Sequence, residues 1–307
     1  MNGAAEHTAW VAVDWGTTHL RIWRMSRTGS VLCRMDSDRG MGRTRPAEFE
    51  PVLLEFLSDA LPEEGRLTVI CSGMAGSRQG WAEARYVPVP AAPPGIAQAT
   101  LVATGNAALS VHILPGLSQS RPADVMRGEE TQIAGFLASE AEFDGVICLP
   151  GTHCKWAHVS AGEVVSFRTF MTGELFALLS EQSVLRHSLA VDGLEAEAFA
   201  AAVDQAIARP QSLAADLFTL RAEALLHALD RTVARSRLSG LLIGAELAAA
   251  RPYWLGRDIV IIGEANVASA YRTALGAQGL APRTADAEAM TLQGLRTAYA
   301  QLREHAL

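Results

Sequence analysis

Short apolar runs broken by glycine and threonine alternate along this chain with longer segments whose apolar positions recur every three or four residues. The runs predict buried strands, and the recurring segments predict amphipathic helices. Val11, Ala12 and Val13 form the first run, Asp14 ends it, and Gly16, Thr17 and Thr18 turn the chain into a return strand with Leu20, Ile22 and Trp23. Residues 145–149 repeat the device. An apolar strand runs into Pro150, Gly151, Thr152 and His153, and the chain returns through Cys154, Lys155 and Trp156. Residues 29–35, 67–71, 240–247 and 258–265 predict further strands, the last two containing Gly244 and Gly263. Helices are predicted over 46–60, 194–208, 213–234, 266–275 and from 285 through Leu302. Two more start at Glu129–Glu130 and after Thr172, which is placed to cap a helix reaching Leu185. Strands alternating with helices make this an α/β chain, and the repeated hairpin implies an internal pseudo-repeat.

Composition narrows the function. A chain of 307 residues, 49% hydrophobic and 19% charged, has room for two domains with separate cores. The net charge of −7 is spread without a basic block, which argues against a nucleic-acid surface and leaves a small molecule as the expected partner. The start lacks a basic-then-apolar leader and no apolar run has the length of a membrane span, so the expectation is a cytoplasmic protein without a membrane partner. Cys33, Cys71, Cys148 and Cys154 have no metal-binding spacing and read as free thiols.

Four stretches carry candidate chemistry, and each has a plainer reading beside it. Gly16, Thr17 and Thr18 can hold phosphate oxygens and Asp14 a hydrated Mg²⁺, or the stretch is an ordinary self-capping turn. Residues 72–80 leave a buried strand as a polar, glycine-bearing loop. They face a ligand beyond the strand end, or form a surface turn with Trp81 packed beneath. Glu129 and Glu130 open a helix, where acidic residues ordinarily serve the helix dipole. Gly263 stands between a strand and a helix start, where bare backbone can meet an adenine or ribose. His227, on an alanine-rich helix, reads as structural.

The order of these pieces resembles the superfamily of acetate and sugar kinases, heat-shock chaperones and actin. Within it the chain resembles the 2-keto-3-deoxygalactonate kinase family, through DWGTT (14–18), GMAGSRQGWAE (73–83), MRGEETQ (126–132), LPGTHCKW (149–156), FMTGELF (170–176) and GLLIGAE (240–246). The resemblance implies two ribonuclease-H-like domains, 1–138 and 139–307, with a nucleotide cleft holding ATP and Mg²⁺. It implies phosphoryl transfer to the 6-hydroxyl of 2-keto-3-deoxy-D-galactonate. In that reaction Glu130 is the expected base with Glu129 as the fallback, and Asp14 holds Mg²⁺ through water. Gly16, Thr17, Thr18, Gly151, Thr152 and His153 would hold phosphates, and Gly244 and Gly263 would border the nucleoside. Arg78 is the candidate for the substrate carboxylate, with Gln79 and Trp81 beside it and Arg127, Lys155 and Thr172 as further candidates. Cys154 stands where serine is expected in this family, and Glu264 where a small residue is expected. A phosphatase of the exopolyphosphatase type and an actin-like ATPase with a partner-binding role are the alternatives. A homodimer is the default assembly for an enzyme of this size.

Overall fold

Trp10–Trp15 is buried at almost every position, as a strand covered on both faces must be. The computed structural model describes residues 7–305 and builds two α/β units around strands of this kind. In chain order the first elements are β1 (Trp10–Trp15), β2 (Leu20–Met25), β3 (Val31–Ser37), α1 (Phe49–Leu57), β4 (Leu67–Gly73), β5 (Tyr86–Pro88), β6 (Thr100–Leu101), β7 (Leu109–Ile113), β8 (Gly116–Ser120), β9 (Ala123–Met126) and α2 (Glu129–Leu137). They are followed by β10 (Gly145–Leu149), β11 (Cys154–Ser160), β12 (Glu163–Phe170), α3 (Thr172–Glu181), α4 (Ala196–Ala208), α5 (Leu213–Leu226), α6 (Arg231–Ala249), α7 (Arg251–Trp254), β13 (Ile259–Gly263), α8 (Ala265–Ala277), β14 (Arg283–Asp286) and α9 (Ala287–His305).

Unit 1 holds a six-stranded sheet of order β3-β2-β1-β4-β7-β6. β1 pairs with β2 antiparallel and with β4 parallel, and β4 pairs with β7 parallel. Unit 2 holds a five-stranded sheet of order β12-β11-β10-β13-β14, in which β10 pairs with β11 antiparallel and with β13 parallel. Each sheet thus has its hairpin next to the central strand and its parallel strands on the other side. This shared order is the ribonuclease-H-like duplication that the sequence led us to expect.

Two expectations about elements do not hold. Residues 240–247 are not a strand but the middle of α6, because the apolar positions Leu238, Leu241, Leu242 and Leu247 continue a helical stripe begun at Ala234. The domain boundary at 138/139 also shifts. Unit 1 runs to Phe143 and takes back Ala161–Val165 and the chain from Ala287, so α9 belongs to the first unit. Its apolar face explains why: Leu292, Leu295 and Ala298 pack with Trp10, Ala12, Trp23 and Ile70, and Tyr299 stacks on Trp10 with centroids 4.4 Å apart.

α9 also fixes the acidic helix. α2 and α9 cross where Gly135 meets the backbone at Met290 and Gly294 meets the Thr131 carbonyl, with no room for a Cβ on either glycine. Gln132 Nε2 donates to Thr291 Oγ1 at 3.3 Å beside this crossing. A Gly294→Ala variant is expected to force the helices apart at a cost of about 1–3 kcal/mol. Thermal unfolding and turnover should both fall, and an unchanged melting temperature would show that the crossing is not tight.

Candidate active site

In unit 1 the hairpin of β1 and β2 carries a tip in which Gly16 is partly exposed and Thr17 and Thr18 are exposed. The tip is braced from behind: Gly16 N donates to His19 O at 2.9 Å, and the amides of Met41 and Gly42 donate to the carbonyls of Gly16 and Thr17 at 2.9 Å. With those carbonyls and the Gly16 amide engaged, what the tip offers outward is the Thr17 and Thr18 hydroxyls, the latter also 2.9 Å from His19 Nδ1, and hydroxyls can hold phosphate oxygens. Asp14 lies directly across the ladder from Arg21, and Arg21 Nη1 donates to Asp14 Oδ2 at 3.1 Å. Arg21 Nε also approaches Glu288 Oε2 of α9 at 3.9 Å. Burial raises the Asp14 pKa; the Arg21 charge and hydrogen bond oppose the shift, and Glu129 and Glu288 add to it.

Glu130, in the first turn of α2, is fully buried. Its carboxyl oxygens accept from the Gly128 amide at 2.9 and 2.8 Å and from Thr131 Oγ1 at 3.3 Å. Glu129 Oε2 accepts from the Arg127 amide at 3.1 Å. Burial pushes the Glu130 carboxyl up to about 8, and the neighbouring Glu129 charge pushes the same way. The backbone amides and the Arg127 charge only partly offset this. Once ionised, a carboxyl with that affinity for protons is a strong enough base to take one from a hydroxyl.

The candidates from the strand-exit loop separate. Arg78 is exposed and its Nε pairs with Glu83 Oε1 at 3.3 Å, and Gln79 is exposed beside it. Trp81 is partly buried and packs into the core, its ring 6.1 Å from Phe49 and 6.2 Å from Trp15. Of the two readings of this loop, the packed tryptophan is the one seen for Trp81. Arg127 is buried, with its Nη1 against Gly76 of the same loop.

In unit 2, Gly151, Thr152 and His153 form the exposed tip between β10 and β11, and Lys155 is buried behind it with Nζ donating to His153 O at 3.2 Å. The N-terminus of α3 holds the tip: Glu174 N donates to Thr152 O at 2.9 Å, and the Glu174 carboxylate meets His153 Nε2 at 2.6 Å. Thr172 is the first residue of α3 and not its cap, because its hydroxyl donates instead to Glu246 Oε2. Glu246 was not singled out from sequence. Its carboxylate, on the buried face of α6, also accepts from Trp156 Nε1 at 2.7 Å and Tyr271 OH at 2.7 Å. Burial raises its pKa against the pull of those hydrogen bonds. The available signal was one acid inside an otherwise apolar run, GLLIGAEL.

The two nucleoside candidates have packing neighbours. Gly244 lies on α6 against Val203 and Ala206 of α4, where a Cβ would come within 2.5 Å of the Val203 carbonyl. Its role there is a close helix crossing, which corrects its assignment as a glycine ending a strand beside a nucleotide. Gly263 ends β13 next to Pro150, with a Cβ position 2.9 Å from the proline ring. It therefore borders the base of the second hairpin, and α8 starts two residues later.

A duplicated α/β plan, a threonine-bearing hairpin tip in each unit and a buried carboxyl at a helix start are the parts a phosphoryl-transfer enzyme needs. The comparisons place it more narrowly. The chain belongs to the 2-keto-3-deoxy-galactonokinase family, whose profile matches residues 14–298. It is 40% identical over 299 residues to a Rhizobium meliloti (strain 1021) protein assigned as a 2-dehydro-3-deoxygalactonokinase, DgoK1, covering 94% of this chain and 96% of the relative. It is 35% identical over 273 residues to the Escherichia coli (strain K12) 2-dehydro-3-deoxygalactonokinase, covering 88% and 90%. A crystal structure from Sinorhizobium meliloti, assigned to the same activity, superposes with a TM-score of 0.88 at 38% identity, over 95% of this chain and 96% of that one. Among the described residues no helix is long and apolar enough to cross a membrane.

Proposed function

We propose that this chain is an ATP-dependent sugar-acid kinase that transfers the γ-phosphoryl group to the 6-hydroxyl of 2-keto-3-deoxy-D-galactonate. The observation that carries the reading is the family match from residue 14 to 298, supported by relatives at 35–40% identity over nearly their whole length. The buried Glu130 supports it from chemistry.

Phosphoryl transfer needs in-line positioning, charge neutralisation and an acceptor for the hydroxyl proton, and little covalent work from the protein. Glu130 accepts the proton of the 6-hydroxyl, and Glu129 keeps its affinity for that proton high. Gly16, Thr17 and Thr18 hold phosphate oxygens, as do Gly151, Thr152 and His153. Gly263 is retained as the candidate beside the nucleoside. Asp14, paired with Arg21 and with Glu129 and Glu288 acting on it as well, has the hard carboxylate oxygens that suit Mg²⁺ held through its waters. Among the described residues no group of three or more acidic, His or Cys side chains could hold a metal. A cation here would therefore be kept largely by water and phosphate. When bound, Mg²⁺ would neutralise phosphate charge. The homodimer and cytoplasmic location expected from size and composition belong to the same reading; sedimentation of the purified protein and fractionation of its host check them.

The test is ADP release with ATP and Mg²⁺, comparing 2-keto-3-deoxygalactonate, its gluconate epimer and no acceptor. Turnover that requires the galactonate-derived acid supports the reading. Acceptor-independent hydrolysis, or turnover of polyphosphate alone, would replace it with an ATPase or a phosphatase.

A further inference from the structure

Arg127, Ser72 and Ser77 are among the side chains of unit 1 that are buried with hydrogen-bonding capacity left over. Arg127 is 9% exposed, and its Nε and Nη1 make no hydrogen bond. Nη2 donates to the Ala84 carbonyl at 2.7 Å. Ser72 and Ser77 are buried as well, and neither Oγ has a hydrogen-bond partner. Ser77 follows Gly76 and Ser72 precedes Gly73 on the stretch that lies against Arg127 and Gly128. A Cβ on Gly76 would come within 2.7 Å of Arg127 Nη1, and a Cβ on Gly128 would lie 3.4 Å from the Gly73 Cα. The loop that leaves β4 therefore lies against Arg127 and against the residue whose amide holds Glu130.

A guanidinium stays charged at any working pH, and burying its N–H groups without partners is costly. Such groups in a folded protein call for an explanation, and a ligand is one. The donor geometry says which ligand. Nη2 contributes one proton to each edge of the guanidinium, so spending one on Ala84 leaves the other edge complete. A complete edge donates two parallel hydrogen bonds, which a carboxylate accepts in the same plane. The Tyr86 ring stacks on the flat face at 4.3 Å and leaves the edges free. Tyr86 is itself 39% exposed, so this face of Arg127 lies one side chain from the surface. Arg78, by contrast, stands 80% exposed in an ion pair with Glu83.

We propose that Arg127, with Ser77 beside it, binds the C1 carboxylate of the 2-oxo sugar acid, and that Arg78 does not. The assignment rests on the kinase reading above and deepens it: Arg127 makes the site select acids over neutral sugars. The carboxylate is held on the segment that leads directly into Glu130.

The experiment compares KM for 2-keto-3-deoxygalactonate and for its uncharged C1 carboxamide in wild type, Arg127→Met, Arg127→Lys, Ser77→Ala and Arg78→Met, with the ATP KM as internal control. Arg127→Met is expected to raise the acid KM roughly 30-fold or more while leaving the ATP KM within about threefold, and to abolish discrimination between acid and amide. Arg127→Lys should keep part of that discrimination, because it retains the charge and loses the fork. Ser77→Ala should raise the acid KM by a smaller factor, and it carries the test if Arg127→Met fails to fold. Arg78→Met should change nothing. Discrimination that survives in Arg127→Met, or that disappears in Arg78→Met, overturns the assignment alone. A wild type that turns over no sugar acid overturns the kinase reading beneath it.

Discussion

Glu130→Gln is expected to lower kcat by a factor of about 10³, within the range usual for losing a positioned general base. The pH profile should carry the same signature. With the carboxyl pushed up to about 8, wild-type kcat/KM should climb as pH rises and level off above that value, because only the deprotonated carboxylate accepts the hydroxyl proton. Glu129→Gln removes a charge that raises Glu130, so its profile should move to lower pH. Stability should run the opposite way to activity. A carboxyl whose folded pKa lies above its unfolded value of 4.5 stabilises the fold fully below 4.5, and that contribution is lost as pH rises through about 8. Glu130→Gln should therefore melt higher than wild type at pH 9 and lose that advantage on acidification. A variant that retains activity with a flat profile would remove Glu130 from the chemistry and leave Glu129 to be tested in its place.

The second large effect is expected at Glu246. Its carboxylate is shared by Trp156 on β11, Thr172 at the start of α3 and Tyr271 on α8, so one acid ties the return strand of the second hairpin to the helix that braces its tip. Glutamine in its place presents an N–H₂ group to a ring of donors and leaves at least one of them unpaired and buried. The expected cost is about 2–4 kcal/mol of stability, since each orphaned buried group costs roughly 1–3 kcal/mol. On the kinase reading, loosening Gly151, Thr152 and His153 should raise the ATP KM by about tenfold while the sugar-acid KM stays within about twofold. Tyr271→Phe removes one donor and keeps the rest satisfied, so it should show a smaller change of the same kind. If Glu246→Gln is less stable but binds ATP as wild type does, Glu246 serves the fold and not the hairpin.

Much of this was legible along the chain because it is local. β1 with its return strand, and β10 with its return strand, could be read from apolar runs ending in glycine and threonine, and their repetition gave the duplicated α/β plan. The pair Asp14 and Arg21 was also within reach: a hairpin with its tip at Thr17 and Thr18 sets those two positions opposite each other. Glu130 could be placed in the first turn of α2, with Ile133 and Ala134 following at the spacing that packs that turn inward. Residues 240–247 misled because a short apolar run fits a buried helix as well as a strand, and only the α4–α6 crossing at Gly244 decides between them.

By itself, then, the sequence determined the period of each hydrophobic run, the two hairpin tips and the acidic helix start, since each of these depends on residues within a few positions of one another. Tertiary structure alone decided what distant segments do to one another's charges and donors. α9 returns to unit 1 because its apolar stripe matches the face of β1 and β4 bearing Trp10 and Ile70. Glu246 collects donors from three other elements, and Arg127 rather than Arg78 is buried against the loop leaving β4. Burial and partnering set the proton affinity of a carboxyl and the unused donors of a guanidinium, and both are properties of the packed chain that no local pattern encodes.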